Sequence, residues 1–232
     1  MTFRPEAAAR WLAEAVETGN PLRDLPGELA PPDQQAGEAV AIAVLDSLGL
    51  TACGVRLLWR GAAPAVAGPM LEGRLIDAGR VVAPGALRHP LVSAAAIGVL
   101  AEALEAEGDA PPRFAALHPA IDIAASRFSA APEEAAVIAA DLGGLGLVVA
   151  GRSRAVAPGA LRLLIGPVGT RRRAQQVDLA AAFAEAAAAA RRFGGLPAGA
   201  LLVVAGLSPA LPAEGAIAAD LGPLGKLDVA FA

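Results

Sequence analysis

Two periods of apolar residues run through this chain, and the period decides the element type. Over residues 5–18, Ala8, Trp11, Leu12 and Ala15 recur at helical spacing on one face. Pro5 suits a first turn, whose amides lack intrahelical partners, and Gly19 supplies the stop. A connection rich in Pro and Asp follows, through Leu22, Leu25 and Pro31-Pro32. A second helix is predicted over 33–48, opened by Asp33, whose carboxylate can accept a free first-turn amide. The clearest helix is 178–193. Asp178 caps it, alanines fill its body, Arg191 and Arg192 face the negative end of its dipole, and Gly194-Gly195 ends it.

Between these helices the pattern shortens. Thr51–Trp59 is apolar and partly β-branched, as a strand requires. From Gly61 to Pro90 glycines and prolines break the periodicity, which predicts short strands and loops, with Arg74–Ile76 and Arg80–Ala83 as candidates. Residues 91–107 admit two readings. Periodicity allows a helix from Ser93 to Glu107 stopped by Gly108, but a short Ala-rich apolar run does not by itself separate helix from strand. Phe114–Ser126 is apolar around Pro119. Val137–Ala140, Gly146–Ala150 and Ala160–Ile165 read as strands, and Arg152–Pro158 is a turn-rich connection. From Leu196 to Phe231 the chain runs strand, glycine turn, Pro/Ala loop, strand, glycine-rich hairpin, strand. Helices first, then β-rich sequence, one long helix, then β again: this order predicts an α+β fold with a mixed or antiparallel β core. At 232 residues it fits one compact unit, with a helical region over 1–50 and a β-rich core domain over 51–232.

Composition narrows the chemistry. The chain is 55% hydrophobic but only 3% aromatic, with no Tyr, so its core must be built from Ala, Val and Leu. Abundant Ala, Gly, Pro and Arg beside a single lysine, Lys226, reads as a coding bias. The net charge is −4 and no basic stripe is interleaved with aromatics, which argues against nucleic acid. Arg171-Arg172-Arg173 is the only dense basic run and reads as a solvated loop. One cysteine, Cys53, excludes an internal disulfide and a cysteine-based zinc site, and its apolar surroundings suit a small buried hydrophobe. Mean hydropathy is +0.52. Yet the longest uncharged apolar stretch, near Leu91–Ala101, is about half of the ~20 residues a spanning helix needs. Arg4, Glu6 and Arg10 interrupt any signal-peptide apolar region, so a cytoplasmic protein with no membrane partner is expected.

The C-terminal segment carries a family resemblance. Gly199, Gly206, Gly215, Gly222 and Gly225 fall in register with the intervening strands, where tight turns are needed. The segment resembles the C-terminal signature of the fumarylacetoacetate hydrolase superfamily, in its 2-oxopent-4-enoate hydratase and oxalocrotonate decarboxylase branch. The resemblance extends over most of the chain at low identity. The helix from Gln34 resembles the family's Ala/Gln-patterned helix, and Gly54-Val55-Arg56 stands where the family has a Gly-Arg-Lys segment. Leu117–Arg127 resembles a proline-containing segment ending in Ser-Arg, and Asp141–Gly151 resembles an Asp-Asn-Ala-Ser segment running into a strand. The implied fold is a mixed β-sandwich or roll core with N-terminal helices and one long Ala-rich helix. It would make the first part of 91–107 a strand.

The resemblance also implies a metal site that this chain does not reproduce. In the family, two glutamates in an E-x-E pair and a third acid hold a divalent cation. Residues i and i+2 of a strand share a face, and hard cations such as Mg²⁺ or Mn²⁺ demand oxygen ligands. Here the glutamate positions are Ser93 and Ala95, and only the third acid remains, as Asp122. The family lysine position is Arg56, which keeps the charge but cannot shuttle a proton. A Gly-His-Pro segment before the long helix is replaced by Ala174-Gln175-Gln176-Val177. In the C-terminal motif a Gly-Asp pair becomes Gly199-Ala200 and a Thr-Gly pair becomes Ala205-Gly206.

The candidate residues each have two readings. Asp122 is a pocket acid or a strand-end acid capped by backbone. Arg56 is an anion anchor or a surface residue beside Trp59. Ser208, Gly206 and Ser93 line a substrate site, or Ser208 is a plain turn serine. His89 and His118 each precede a proline, which places them in extended or turn segments without an acid partner at fixed spacing. No cofactor is expected, with Mg²⁺ or Mn²⁺ only if the site is rebuilt. The sequence reading is a hydratase-like protein without the family's metal-dependent lyase chemistry, acting as a non-catalytic or small-anion-binding homologue. The alternative is an active hydratase or decarboxylase on a small 2-oxo acid, using a non-standard site or a partner subunit. A homo-oligomer or a complex with an active paralogue is the expected assembly.

Overall fold

The computed structural model describes residues 3–232. Helix α1 (Pro5–Thr18) and helix α2 (Gln34–Leu48) lead into strands β1 (Gly54–Arg60) and β2 (Ala63–Met70), then β3 (Leu75–Asp77) and β4 (Val81–Val82). Two long strands follow, β5 (Leu91–Leu100) and β7 (Phe114–Ala124), with the short β6 (Leu104–Glu105) between them. The short helix α3 (Ala135–Ala140) precedes β8 (Leu145–Ala150), β9 (Ala160–Pro167) and β10 (Ala174–Asp178). Helix α4 (Leu179–Arg192) leads into β11 (Gly195–Leu196), β12 (Leu201–Ala205), β13 (Leu211–Pro212), β14 (Ala216–Asp220) and β15 (Lys226–Phe231). The predicted helix starts hold in detail. Asp33 accepts the Ala36 amide at 2.8 Å and Asp178 the Ala181 amide at 3.1 Å.

The strands form an eight-stranded mixed sheet in the order β2-β1-β12-β5-β7-β8-β3, with β13 paired to β5, and a five-stranded sheet ordered β10-β9-β14-β15-β4. One face of the large sheet packs against α4 and the five-stranded sheet, through Leu57, Ile121, Phe183, Ala186, Leu163 and Val229. The other face packs against α1 and α2, through Leu12, Val40, Val44, Ala95, Ile97 and Val203. Small alanine side chains fill both layers, as the scarcity of aromatics requires.

Three segments are settled by this layering. Leu91–Leu100 is a strand, because it runs between β12 and β7 at the sheet centre and is covered on both faces. Residues 63–70 form a strand despite Pro64 and Pro69, which the edge position of β2 tolerates. Val137–Ala140, expected as a strand, is instead part of helix α3. Its alanines favour helix, and α2 comes so close that a Cβ on Gly37 would stand 2.1 Å from the Ala136 carbonyl oxygen. Short apolar runs are ambiguous by periodicity, and this contact decides the case.

Candidate functional site

The ends of β1 and β12, the start of β5, the segment after β7 and helix α3 enclose a cleft of about 650 Å³. That volume suits a small organic ligand. Its walls are mostly apolar, including Leu58, Trp59, Leu91, Ile138 and Leu207. Polar groups reach it at a few points: Arg60, His89, Ser93, Ser126, Asp141, Gln175 and Ser208. Gly206 lines it as well, so the sequence-selected Ser93, Gly206 and Ser208 stand together at one wall. They are tied by hydrogen bonds: Ser93 Oγ accepts the Gly206 amide at 3.0 Å, and Ser208 Oγ accepts the Ala94 amide at 3.0 Å. These bonds lock the C-terminal turn onto β5.

Arg56 and Asp122 stand elsewhere. Arg56 is 1% exposed and Asp122 is 0% exposed, and neither is among the cleft's lining residues. They meet each other. Arg56 Nε donates to Asp122 Oδ1 at 2.7 Å and Nη2 to Oδ2 at 2.7 Å, a bidentate fork. The remaining Nη1 donates to the Gly143 carbonyl at 2.7 Å. The surface position for Arg56 is thereby corrected. Sequence alone gives no sign of this pairing, because 66 residues and two intervening strands separate the partners.

Strand register explains the geometry. Ser93 pairs with Asp122 and Ala95 with Ala120, so the positions at which the resemblance implies cation ligands share one face. Ala95, Val203 and Ala205 all belong to the core cluster on that face. Their small side chains leave room for the arginine to span β12 and β5. The donor set for a dication is then one carboxylate, both of whose oxygens are engaged by a guanidinium, and a serine hydroxyl engaged by an amide. Among the described residues no group of three or more His, Cys, Asp or Glu is placed to hold a metal ion. The residues do not fit Mg²⁺, Mn²⁺ or Ca²⁺, which need several oxygen ligands.

Asp141 is the site residue that sequence reasoning passed over. It follows α3, is 1% exposed, and its side chain accepts the Ser126 hydroxyl at 2.7 Å and the Arg127 amide at 3.0 Å. Arg127 Nε stands 3.4 Å from its other oxygen. The signal lay in the two segments Ser126-Arg127 and Asp141–Gly151, which the fold brings into contact. Burial pushes the Asp141 carboxyl above the usual carboxylate range, against partial relief from the Arg127 guanidinium, the Ser126 hydroxyl and the Arg127 amide. A carboxyl whose folded pKa is raised favours folding below its unfolded pKa and loses that advantage as pH rises toward the folded value. Asp141→Asn is therefore expected to gain stability relative to the parent as pH climbs above about 4, the unfolded carboxylate value. Urea unfolding of both proteins between acid and neutral pH checks this, and a constant difference would remove Asp141 as the cause.

The two histidines lie apart. His89 lines the cleft at φ 50° and its Nε2 bonds the Ser129 carbonyl oxygen at 2.8 Å. His118 Nδ1 bonds the Gly151 carbonyl oxygen at 2.9 Å. Cys53 is half-buried, not fully buried, with its thiol donating to the Met70 carbonyl at 3.3 Å.

No protein-family model matches the chain, and no curated protein matches it by sequence. Solved structures do. The 4-oxalocrotonate decarboxylase of Pseudomonas putida G7, complexed with magnesium and adipate, superposes with a TM-score of 0.82 at 18% identity, over 98% of this chain and 97% of that one. The same enzyme complexed with calcium and acetate gives 0.80 at 17% identity, again over 98% and 97%. Fumarylpyruvate hydrolase from Pseudomonas aeruginosa, in complex with Mn²⁺ and pyruvate, gives 0.51 at 14% identity over 73% of this chain and 79% of that one. The chain has the α+β fold of the fumarylacetoacetate hydrolase superfamily, in the form taken by 4-oxalocrotonate decarboxylase.

Proposed function

We propose that the chain is a divergent, hydratase-like member of this superfamily that has lost the metal-dependent lyase chemistry and uses its cleft to bind a small anion. The observation that carries this reading is the Arg56–Asp122 fork. The structural neighbours are complexed with magnesium, calcium or manganese. At the equivalent acid this chain places a permanent, protein-borne cation with 2.7 Å contacts to both oxygens. A dication would have to displace a buried guanidinium and leave it unpaired, which is strongly unfavourable. The cleft retains what binding needs: an apolar lining, the rim guanidinium of Arg60, and the Ser93 hydroxyl on a wall held rigid by its bonds to the C-terminal turn. Small 2-oxo acids are the ligand class to try first.

The test has two parts. Metal analysis of the purified protein is expected to find no stoichiometric divalent metal, and added Mg²⁺ or Mn²⁺ should leave the melting temperature unchanged. A stoichiometric dication whose chelation destabilises the protein would overturn the reading. Trp59 lines the cleft, so its fluorescence should respond to pyruvate-class 2-oxo acids without metal, and the absence of any ligand response counts against the binding role.

Asp141 supports a second reading, an active hydratase or decarboxylase with a non-standard site. It lines the cleft and burial favours its protonated form, which suits a proton donor. Turnover of a 2-oxo acid in the presence of chelator, abolished in Asp141→Asn, would establish it. Assembly as a homo-oligomer, or with an active paralogue, remains part of the proposal and is read by the solution mass alone and on mixing.

A further inference from the structure

A second cavity, of about 270 Å³, shares Ala125 and Ser126 with the cleft as lining but is otherwise built from different elements. Its walls are the end of α1, the turn from Gly85 to Arg88, the start of β8 and three arginines, Arg74, Arg88 and Arg127. No aspartate or glutamate lines it, in a chain whose net charge is −4. Like charges do not gather in a concavity without a reason, because each raises the electrostatic cost of the others.

The three guanidiniums differ in what occupies them. Arg127 is fully engaged, by the Asp141 carboxylate and by the carbonyls of Ala125, Asp141 and Leu145. It is a fixed wall whose donors are already taken. Arg88 makes one long contact, from Nη2 to the Gly19 carbonyl at 3.4 Å. That contact meets the negative end of α1, worth about half a charge, and so accounts for part of Arg88. Arg74 accounts for nothing: among the described residues it has no side-chain hydrogen bond and no ion pair. It is also half-buried. Burial and then the Arg127 charge both depress its pKa, and no acid offsets them. Arginine stays charged regardless. The fold thus holds a desolvated cation and a second, weakly engaged one around a small concave space, with the counter-charge missing.

We propose that this cavity is a binding site for a compact, multiply charged oxyanion of the phosphate class, gripped by Arg74 and Arg88 against the Arg127 wall. Forked guanidinium donors on two separate elements match a tetrahedral anion that offers oxygens in several directions. The volume falls below the range of about 300–1,000 Å³ that drug-sized ligands occupy, which favours a free ion or a small ester. Asn20 and Ser126 add neutral polar groups at the wall. The cleft's occupant and chemistry do not enter this argument, so the two proposals stand or fall separately.

The experiment is calorimetry and thermal unfolding of the full chain with inorganic phosphate, against chloride at matched ionic strength, and with glycerol 3-phosphate as a small ester. Phosphate is expected to raise the melting temperature of the parent beyond the chloride control. Arg74→Gln should weaken phosphate binding by about 10-fold or more, the range for loss of a charged hydrogen bond, and Arg88→Gln should do likewise. Without phosphate, Arg74→Gln should melt no lower than the parent, because it removes a charge that repels Arg127. Tighter binding of the ester marks the site as one for a phosphate-bearing metabolite, and tighter binding of the free ion marks it as a phosphate site. Equal phosphate response in parent and both variants, or no response beyond chloride, overturns the proposal. Should Arg74→Gln fail to fold, Arg88→Gln alone decides.

Discussion

Arg56→Ala is expected to lower the unfolding free energy by about 3–5 kcal/mol, the range for breaking a buried ion pair from one side. For a domain of this size that corresponds to a fall of roughly 10 °C in melting temperature. Asp122 has no exposed surface, and among the described residues its only side-chain partner is the guanidinium, through two 2.7 Å bonds. Deleting the arginine strands a carboxylate in the sheet face and leaves the Gly143 carbonyl without its 2.7 Å donor. The pair itself is a different matter from either member. Replacing both by apolar side chains of similar volume, Arg56→Met with Asp122→Leu, should recover most of the loss, because both desolvation penalties vanish together. Recovery should stop short of the parent by about 1–3 kcal/mol, since the Gly143 carbonyl stays unsatisfied. Urea unfolding of the parent, both single variants and the double variant gives the coupling energy. Additive losses would show that the fork is not a coupled unit, and would weaken the argument that it has replaced a metal.

The pairing also shows where the sequence stops being legible. The helix boundaries were readable because each is a local matter: an Asp side chain and a glycine act within a turn of the residue they cap. Which acid meets which base is not local. Arg56 and Asp122 are brought together by the parallel pairing of β1 with β12 and the antiparallel pairing of β5 with its neighbours, and a one-residue slip would turn either side chain to the other face. Asp141 was hidden for the same reason. Its partners Ser126 and Arg127 sit 15 and 14 residues before it, across a loop and a short helix whose sequence predicts a strand. The segment 91–100 was undecided for a related cause. A strand buried on both faces loses the alternation that would identify it, and Ala94-Ala95-Ala96 is equally at home in a helix. The cleft wall is more accessible, because Gly206 and Ser208 belong to a turn whose geometry the glycine constrains, and Ser93 stands at a position where the family resemblance implies a ligand.

Gly206→Ala carries the second large expected effect, a loss of about 3 kcal/mol or more, with the cleft wall displaced. Gly206 has φ 73°, so any side chain there meets the left-handed penalty of about 1–2 kcal/mol. Space is the larger problem. A Cβ at this position would stand 2.0 Å from the Trp59 carbonyl oxygen and 2.8 Å from its carbon, and backbone atoms in a sheet cannot swing away as a side chain could. The turn must move instead. Moving it strains the Gly206 amide bond to Ser93, the Leu207 amide bond to the Ala94 carbonyl at 3.0 Å, and the Ala94 amide bond to Ser208. Those bonds form the polar wall of the cleft, so Trp59 fluorescence should shift in the folded variant as well. Gly199→Ala is the control: its φ of 82° brings the same conformational penalty, but nothing lies within 4 Å of an added Cβ. It should lose only about 1–2 kcal/mol and leave the cleft signal unchanged. Equal losses at the two glycines, measured by chemical unfolding, would mean that left-handed geometry alone explains the C-terminal glycines. A larger loss at Gly206 would mark that glycine as the one the cleft requires.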